Sequence, residues 1–416
     1  MCAEKDAPMH ILIFLDQNPA SLGGVQASVL LQQKYLERAG HRVTIAAPAS
    51  KFGKRSKPGQ IIYPSFQLPL NREYNANARL TAAYRQIVDE IKAIGEHVDV
   101  VHVQADWWGA LLGAGFAVRE NLPLVNTLHT NLIIGASKVV GIFGARFLFW
   151  LHSESFGRWV DGRPWQGSVN GWKYLRQISS RSAAVIAPSG HFARLAREMS
   201  VAAHLEVVPT GVDDAALEGI LGDLKRVPQS TSHDVTFAWS GRFSHEKRMM
   251  EFLQAFRQAN VPAKVKIFGN GPLEGKARDF ITQNGLADRV NIVGRVSHEE
   301  MLKQLAQADA LIQTSVGFET QGMTVYEAGV VGTPAVLCDW NIADDLPADS
   351  YWRVANSGPT QEVPELAKTI AQAYADLAAG NGKHIDLRGE MFQSELFKKS
   401  IEIYDRAILA HKDQNL

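Results

Sequence analysis

Ala310-Leu311-Ile312-Gln313-Thr314, then Gly317-Phe318-Glu319-Thr320-Gln321-Gly322-Met323-Thr324-Val325-Tyr326-Glu327, then Gly332-Thr333-Pro334-Ala335-Val336-Leu337-Cys338: this stretch decides the fold. It spells strand, loop, helix, turn, strand: an apolar run, glycine-marked loop, helix-compatible residues, Gly-Thr-Pro and a second apolar run. Strands joined through a helix in this way run parallel in one sheet. In open α/β sheets, the loop at a strand's carboxyl end is where ligands bind. A helix amino terminus there offers unpaired backbone N–H groups. Glu319 falls in the loop and Glu327 on the helix, with seven residues between them. Two carboxylates so placed suit hydrogen bonds from the hydroxyls of a sugar and a ribose. Taken alone, the pair reads more simply as surface acids favouring a helix start.

The same rhythm extends outward in both directions. Val235 to Trp239, Val265 to Phe268 and Val290 to Val293 are strand-like runs preceding the opening stretch. In the amino-terminal half, His10 to Leu15 is a buried strand, followed by the loop Asp16 to Gly24 and a helix over Val25 to Ala39. Gly40 closes that helix, and His41 to Ala47 is the next strand. Val98 to Val103, Leu124 to Leu128, Ala183 to Ala187 and Leu205 to Val208 continue the strands, with a helix over Trp108 to Glu120. The pattern pauses at Pro209-Thr210-Gly211-Val212-Asp213 and stays polar through Ser232. This βαβ alternation predicts an α/β protein of two Rossmann-like, doubly wound parallel-sheet domains. They are expected over 1–212 and 213–392, with an interdomain cleft. A final helix in 393–416 follows the second domain; periodicity does not set its destination, and packing back on the first domain is one arrangement open to it.

Bulk properties narrow the class. A chain of 416 residues is too long for one ordinary core. Its 46% hydrophobic and 21% charged content is that of a globular protein. Lys+Arg and Asp+Glu balance at 43 each, which argues against a nucleic-acid partner. Only Cys2 and Cys338 are present, so a disulfide framework is excluded and a cytoplasmic setting is expected. No Cys/His cluster has zinc spacing, and no metal is expected. Met1 to Pro8 lacks the basic-then-apolar profile of a signal peptide. Leu132 to Leu151 is apolar but carries Lys138, Arg146 and three glycines, which is poor for a membrane-spanning helix.

Several strand-end motifs carry candidate chemistry. Gly23-Gly24, followed by Gln26, lies between the first strand and first helix. It suits either close backbone approach to a ligand or a tight turn. Ser240-Gly241-Arg242-Phe243-Ser244-His245-Glu246-Lys247-Arg248 follows the strand Val235 to Trp239. Arg242 and Lys247 there supply a guanidinium fork and an ammonium, a pairing that fits a diphosphate, although a solvated basic turn reads the same way. Phe268-Gly269-Asn270-Gly271-Pro272 is a further glycine turn. His129 closes the strand ending at Leu128 and faces the same edge as Asp106.

Together these segments resemble a retaining glycosyltransferase of family 4, the nucleotide-sugar-dependent family with the two-domain GT-B architecture. The resemblance covers essentially the whole chain. Its motifs run in order through Gly23-Gly24, Leu128-His129-Thr130, Val208 to Asp213, Gly241-Arg242 with Glu246-Lys247, and Glu319 to Glu327. It implies that Arg242 and Lys247 hold the donor diphosphate, Glu319 binds donor-sugar hydroxyls and Glu327 binds the ribose. It further implies that backbone at Gly322-Met323-Thr324 faces sugar or phosphate, and that Gly294-Arg295-Val296 frames the base. His129 would lie beside the donor sugar at the reaction centre. Catalysis would rest on stabilising the leaving phosphate, without metal or cofactor, the nucleotide sugar being a co-substrate. UDP-glucose is the expected donor, with GDP-mannose the alternative. A nucleotide-sugar epimerase of the same fold and a non-catalytic sugar-binding module are the rival functions.

Glu-Thr-Gln-Gly-Met-Thr and His129-Thr130-Asn131 are also similar to members that glycosylate diacylglycerol. One departure is Gln104, where a second histidine after His102 is usual. The segment 132–174 mixes Phe143, Phe147, Phe149, Trp150, Phe156, Trp159, Trp165 and Trp172 with Lys138, Arg146, Arg158, Arg163 and Lys173. It suits an interfacial segment that meets a bilayer and its lipid acceptor at the inner face of the plasma membrane. A buried helical layer or a dimer contact accounts for it equally. The oligomeric state carries no expectation.

Overall fold

The computed structural model describes residues 8–414, apart from 22, 51–52, 54–55, 69–70, 78, 96, 163–166, 225–233, 357 and 359–361. The chain forms two units, one of Met1–Thr210 with Gln393–Leu416 and the other of Gly211–Phe392.

The first unit is built on a seven-stranded parallel sheet. Its spatial order is Gln60–Tyr63, Arg42–Pro48, His10–Phe14, Val100–Val103, Leu124–Thr127, Ala184–Ala187 and Glu206–Val207. Strand side chains alternate between faces. Leu12 and Phe14 enter one core with the helices Leu80–Ile94 and Trp108–Arg119, whereas Ile11 and Ile13 enter another. Burial on both faces explains why these strands read as unbroken apolar runs. The final helix, Gln393–Gln414, completes the second core, burying Ile401, Ile403, Tyr404 and Ala407 against Ile11 and Ile13.

The second unit has a six-stranded parallel sheet ordered Val290–Gly294, Lys264–Phe268, Thr236–Ser240, Ala310–Gln313, Ala335–Leu337 and Tyr351–Arg353. In both sheets the chain winds outward from a first strand and then crosses to its other side. The switch lies between His10–Phe14 and Val100–Val103 in the first sheet. In the second it lies between Thr236–Ser240 and Ala310–Gln313. Helices flanking a switch diverge and leave a crevice at the strands' carboxyl ends. Close approach of the loops there constrains Gly269, whose φ is +119° and whose added methyl would sit 1.9 Å from the Gly241 carbonyl oxygen. No side chain fits that position.

Four strands escape sequence periodicity: Gln60–Tyr63, the antiparallel pair Phe66–Leu68 and Asn71–Ala76, and Tyr351–Arg353. Each is a short piece at a sheet edge or outside the main sheets, and in Gln60–Tyr63 three successive buried residues, Ile61, Ile62 and Tyr63, are too few to set a period. The segment 132–174 forms the helix Leu132–Trp159, interrupted at Gly141 (φ 71°, ψ 170°), and the start of Gly171–Ser179. Its aromatic residues divide between core and surface. Phe149 and Phe156 are buried in the first core, while Phe143, Phe147 and Trp150 are exposed. Arg163, Trp165 and the Lys138 side chain lie outside the described residues. Among the described residues, no helix is long and apolar enough to cross a membrane.

Candidate active site

At the switch point of the second sheet, Lys247 meets Glu319. Lys247 sits in a 3-10 turn, His245–Lys247, after the strand Thr236–Ser240. Its ammonium is hydrogen-bonded to Glu319 Oε1, which also accepts from Ser315 Oγ at 2.9 Å. Thr314 locks the two loops together, because its hydroxyl accepts from Trp239 Nε1 at 2.9 Å and donates to the Lys247 carbonyl at 2.6 Å. Asp339 accepts from Gly317 N at 2.7 Å and thereby braces the Glu319 loop from the neighbouring strand end. The ammonium also lies 5.8 Å from the Phe318 ring centroid. The arrangement holds a cation and a carboxylate side by side where a polar, anionic ligand can engage both.

The remaining residues expected at the donor follow the same edge. Arg242 is exposed in the loop between the strand and the 3-10 turn. Gly322, at φ +82°, caps the helix Met323–Val330, and an added methyl would meet Ile342 Cδ1 at 2.8 Å. Met323 and Thr324 begin that helix half-buried. Glu327, one turn later, is buried and paired with His298 Nε2 at 2.9 Å. That hydrogen bond pulls the His298 pKa upward against the opposing effect of burial. His298 opens a helix, His298–Ala306, capped by Ser297, which follows Gly294, exposed Arg295 and Val296. Glu319 and Glu327 therefore keep separate partners, one a lysine and the other a histidine. His298, Ser315 and Thr314 were not singled out from sequence, although Ser297-x-x-Glu300 is a readable capping box that places His298 in a first helical turn.

The first unit carries His129. It follows the strand Leu124–Thr127, and its Nε2 lies 2.8 Å from Gln104 Oε1. Burial lowers its pKa to about 4, so the ring is neutral near pH 7. Beside it runs a cavity of about 30 Å³ lined by His102, Gln104, Thr127, His129, Pro209 and Thr210, among others. Gly23 and Gly24 are exposed at the start of the helix Gly24–Arg38, where Gln26 turns back to Gln17 Oε1 at 2.6 Å.

Asp16 occupies this unit's own switch point. Its carboxylate accepts from the backbone N–H groups of Asp106 (2.6 Å), Trp107 (2.9 Å) and Gly109 (2.8 Å), tying the first strand's exit to a helix start. Burial raises the pKa of Asp106 to about 7, a Thr130 hydrogen bond opposes the rise and the Asp16 charge adds to it. A carboxyl whose folded pKa exceeds its ordinary 3.8 stabilises the fold below about pH 4. That stabilisation is lost as pH rises from there through 7. Asp106→Asn cannot ionise, so it should flatten this dependence. The variant is expected to gain about 1–4 kcal/mol relative to wild type at pH 8 and little at pH 4. Urea melts at the two pH values check it; an equal change at both would contradict the assignment.

The architecture is shared with solved structures. Sucrose-phosphate synthase from Thermosynechococcus elongatus superposes with a TM-score of 0.66 at 18% identity, covering 97% of this chain and 100% of that one. Anabaena Alr3699/HepE, solved in complex with UDP-glucose, gives 0.59 at 16% identity, covering 98% of each. Two doubly wound parallel sheets of this kind define the GT-B glycosyltransferase fold. Within that class, the model described as Glycosyltransferase Family 4 matches residues 22–216, and Glycosyl transferases group 1 matches 223–377. The chain belongs to these glycosyltransferases, with a family 4 domain followed by a group 1 domain. The alpha-monoglucosyldiacylglycerol synthase of Streptococcus pneumoniae is 24% identical over 98% of this chain and 88% of its own length. A phosphatidyl-myo-inositol mannosyltransferase of Mycobacterium leprae is 23% identical over 86% of this chain and 83% of its own length.

Proposed function

We propose that this protein transfers glucose from UDP-glucose, with retention of configuration and without a metal, to a hydroxyl of a membrane lipid of the diacylglycerol type. The observation that carries the reading is the Lys247–Glu319 pair at the switch point of the second sheet. A donor diphosphate would be met by Lys247 and Arg242, and the sugar hydroxyls by Glu319. The bond from the sugar's anomeric carbon to the phosphate oxygen breaks as the acceptor oxygen bonds to that carbon on the same face. The acceptor's proton passes to the leaving phosphate. Lys247 and Arg242 offset the charge that develops there, which is worth most in the transition state. Glu327 would exchange its His298 partner for the ribose hydroxyls. For His129, neutral and hydrogen-bonded to Gln104, the family resemblance supports a role in the transfer as an uncharged polar group.

Glucose and a lipid acceptor are favoured by the Streptococcus relative named above, which spans nearly all of this chain. The mycobacterial mannosyltransferase keeps GDP-mannose as the second reading. The proposed site of action is the cytoplasmic membrane surface, reached peripherally.

The test is turnover of labelled UDP-glucose and GDP-mannose with diacylglycerol in phosphatidylglycerol vesicles, with and without EDTA. UDP release with an α-glucosyl lipid, unchanged by chelator, is expected. A mannosyl lipid would move the donor to the second reading. Return of an altered free nucleotide sugar would point to an epimerase. Binding without turnover over a broad acceptor panel would point to a sugar-binding module.

A further inference from the structure

A line of buried side chains joins the C-terminal helix to His129. Tyr404 Oη lies 3.0 Å from Gln32 Nε2, Gln104 Nε2 lies 2.5 Å from Gln32 Oε1, and Gln104 Oε1 lies 2.8 Å from His129 Nε2. Tyr404 Oη also lies 2.7 Å from His102 Nδ1, which is 3.3 Å from Gln104 Nε2 and so closes the line into a ring, and His102 Nε2 lies 2.7 Å from Thr127 Oγ1. Gln32, Gln104, His102 and Tyr404 are all buried.

A primary amide accepts at one end and donates at the other. Two amides in series therefore transmit a direction. With Gln32 donating to Tyr404, Gln104 donates to Gln32 and presents its oxygen to His129, whose Nε2 must then carry the proton. Tyr404 in turn donates to His102 Nδ1, and His102 donates to Thr127. Reversing any one amide forces the reversal of every other link. The line holds one direction from end to end, and each direction permits a single tautomer at His129. We propose that Tyr404 is a positioning residue that sets the ring orientation and tautomer of His129 through Gln32 and Gln104. The consequence for catalysis rests on the role read for His129 above.

The Tyr404→Phe substitution keeps the ring in its apolar core and deletes the hydroxyl that joins Gln32 to His102. Gln32 Nε2 is then left with Ser400 Oγ at 3.4 Å and His102 Nδ1 with Gln104 Nε2 at 3.3 Å, and the Gln32 amide can turn without a matching change at Tyr404. In ¹⁵N-histidine-labelled full-length protein, with His129 assigned by its loss in His129→Ala, one tautomer is expected in wild type. A shift toward a tautomer mixture is expected in Tyr404→Phe. Transfer from UDP-glucose to diacylglycerol should fall about 10–100-fold in Tyr404→Phe. In a His129→Ala background the same change should cost no more than about twofold, since the group it acts through is gone. A loss of equal size in both backgrounds would mark Tyr404 as structural only. Unchanged His129 nitrogen shifts in Tyr404→Phe would overturn the proposal whatever the rates do. A wild-type rate in His129→Ala would instead remove the catalytic role of His129, leaving the nitrogen shifts to decide the positioning. Should Tyr404→Phe fail to fold, Gln32→Met removes the amide between Tyr404 and Gln104, keeps the Tyr404–His102 bond and is read in the same two ways.

Discussion

Lys247→Met should lower kcat for sugar transfer about 10³-fold, or ~4 kcal/mol of transition-state stabilisation. Methionine keeps the apolar stem that packs behind the site and removes only the ammonium. On the proposed mechanism that charge is needed most as the diphosphate departs, so kcat and kcat/KM should fall together rather than KM rising alone. The side chains of Lys247 and Glu319 are only 24% and 16% exposed, so deleting one leaves a poorly solvated partner. Stability should accordingly drop by about 1–3 kcal/mol in Lys247→Met. Adding Glu319→Gln removes the orphaned charge while retaining the amide's ability to meet Ser315 and sugar hydroxyls. The double variant should recover most of the stability and none of the rate. That opposite response separates a catalytic ammonium from a structural one. A rate for Lys247→Met within tenfold of wild type would sink the assignment.

The frame of this site was legible because parallel strands buried on both faces read as apolar runs between helix signals. Glu319 and Glu327 fell where periodicity placed them, in the loop and on the helix after Ala310–Gln313. The partners they take were not legible. Lys247 lies 72 residues from Glu319, and only the spatial adjacency of Thr236–Ser240 and Ala310–Gln313 joins them. Gln32 and Tyr404 are 372 residues apart, and no pattern at helical or strand period records their meeting. Asp16 reads as an ordinary loop acid, whereas its function depends on three N–H groups more than 89 residues away. Local periodicity reports which face is buried, and it is silent on which buried polar groups satisfy each other.

The division of the helix Leu132–Trp159 between core and surface carries the second large effect. At about 100° per residue, Ile142, Phe143, Arg146, Phe147 and Trp150 share one face, and Ala145, Phe149 and Phe156 a second face centred about 110° away. The first set is exposed, with Ile142 at 68%, Phe143 at 89%, Phe147 at 59% and Trp150 at 42%. The second set is buried in the core. Packing therefore accounts for only half of the aromatic content, and the outer half stands in water beside exposed Arg146, Arg158 and Lys173. Aromatic rings with interleaved cations are the composition of a helix that lies in the headgroup region of an anionic bilayer. Replacing Phe143, Phe147 and Trp150 together by Ser should cost about 4 kcal/mol of membrane affinity, or ~10³-fold in vesicle partitioning. The melting temperature should scarcely move, because exposed side chains contribute little to the fold. Protection from thermal unfolding by UDP-glucose should also persist, since Arg242, Lys247, Glu319 and Glu327 lie on the other unit. Transfer to diacylglycerol in vesicles should fall in step with partitioning. Raising salt should weaken binding of the wild type to phosphatidylglycerol vesicles more than to phosphatidylcholine vesicles, as each basic residue near an anionic surface adds about 1 kcal/mol. Vesicle affinity of the triple variant within threefold of wild type would assign the exposed face to something other than a bilayer. A loss of partitioning with no loss of lipid glycosylation would separate membrane binding from acceptor delivery.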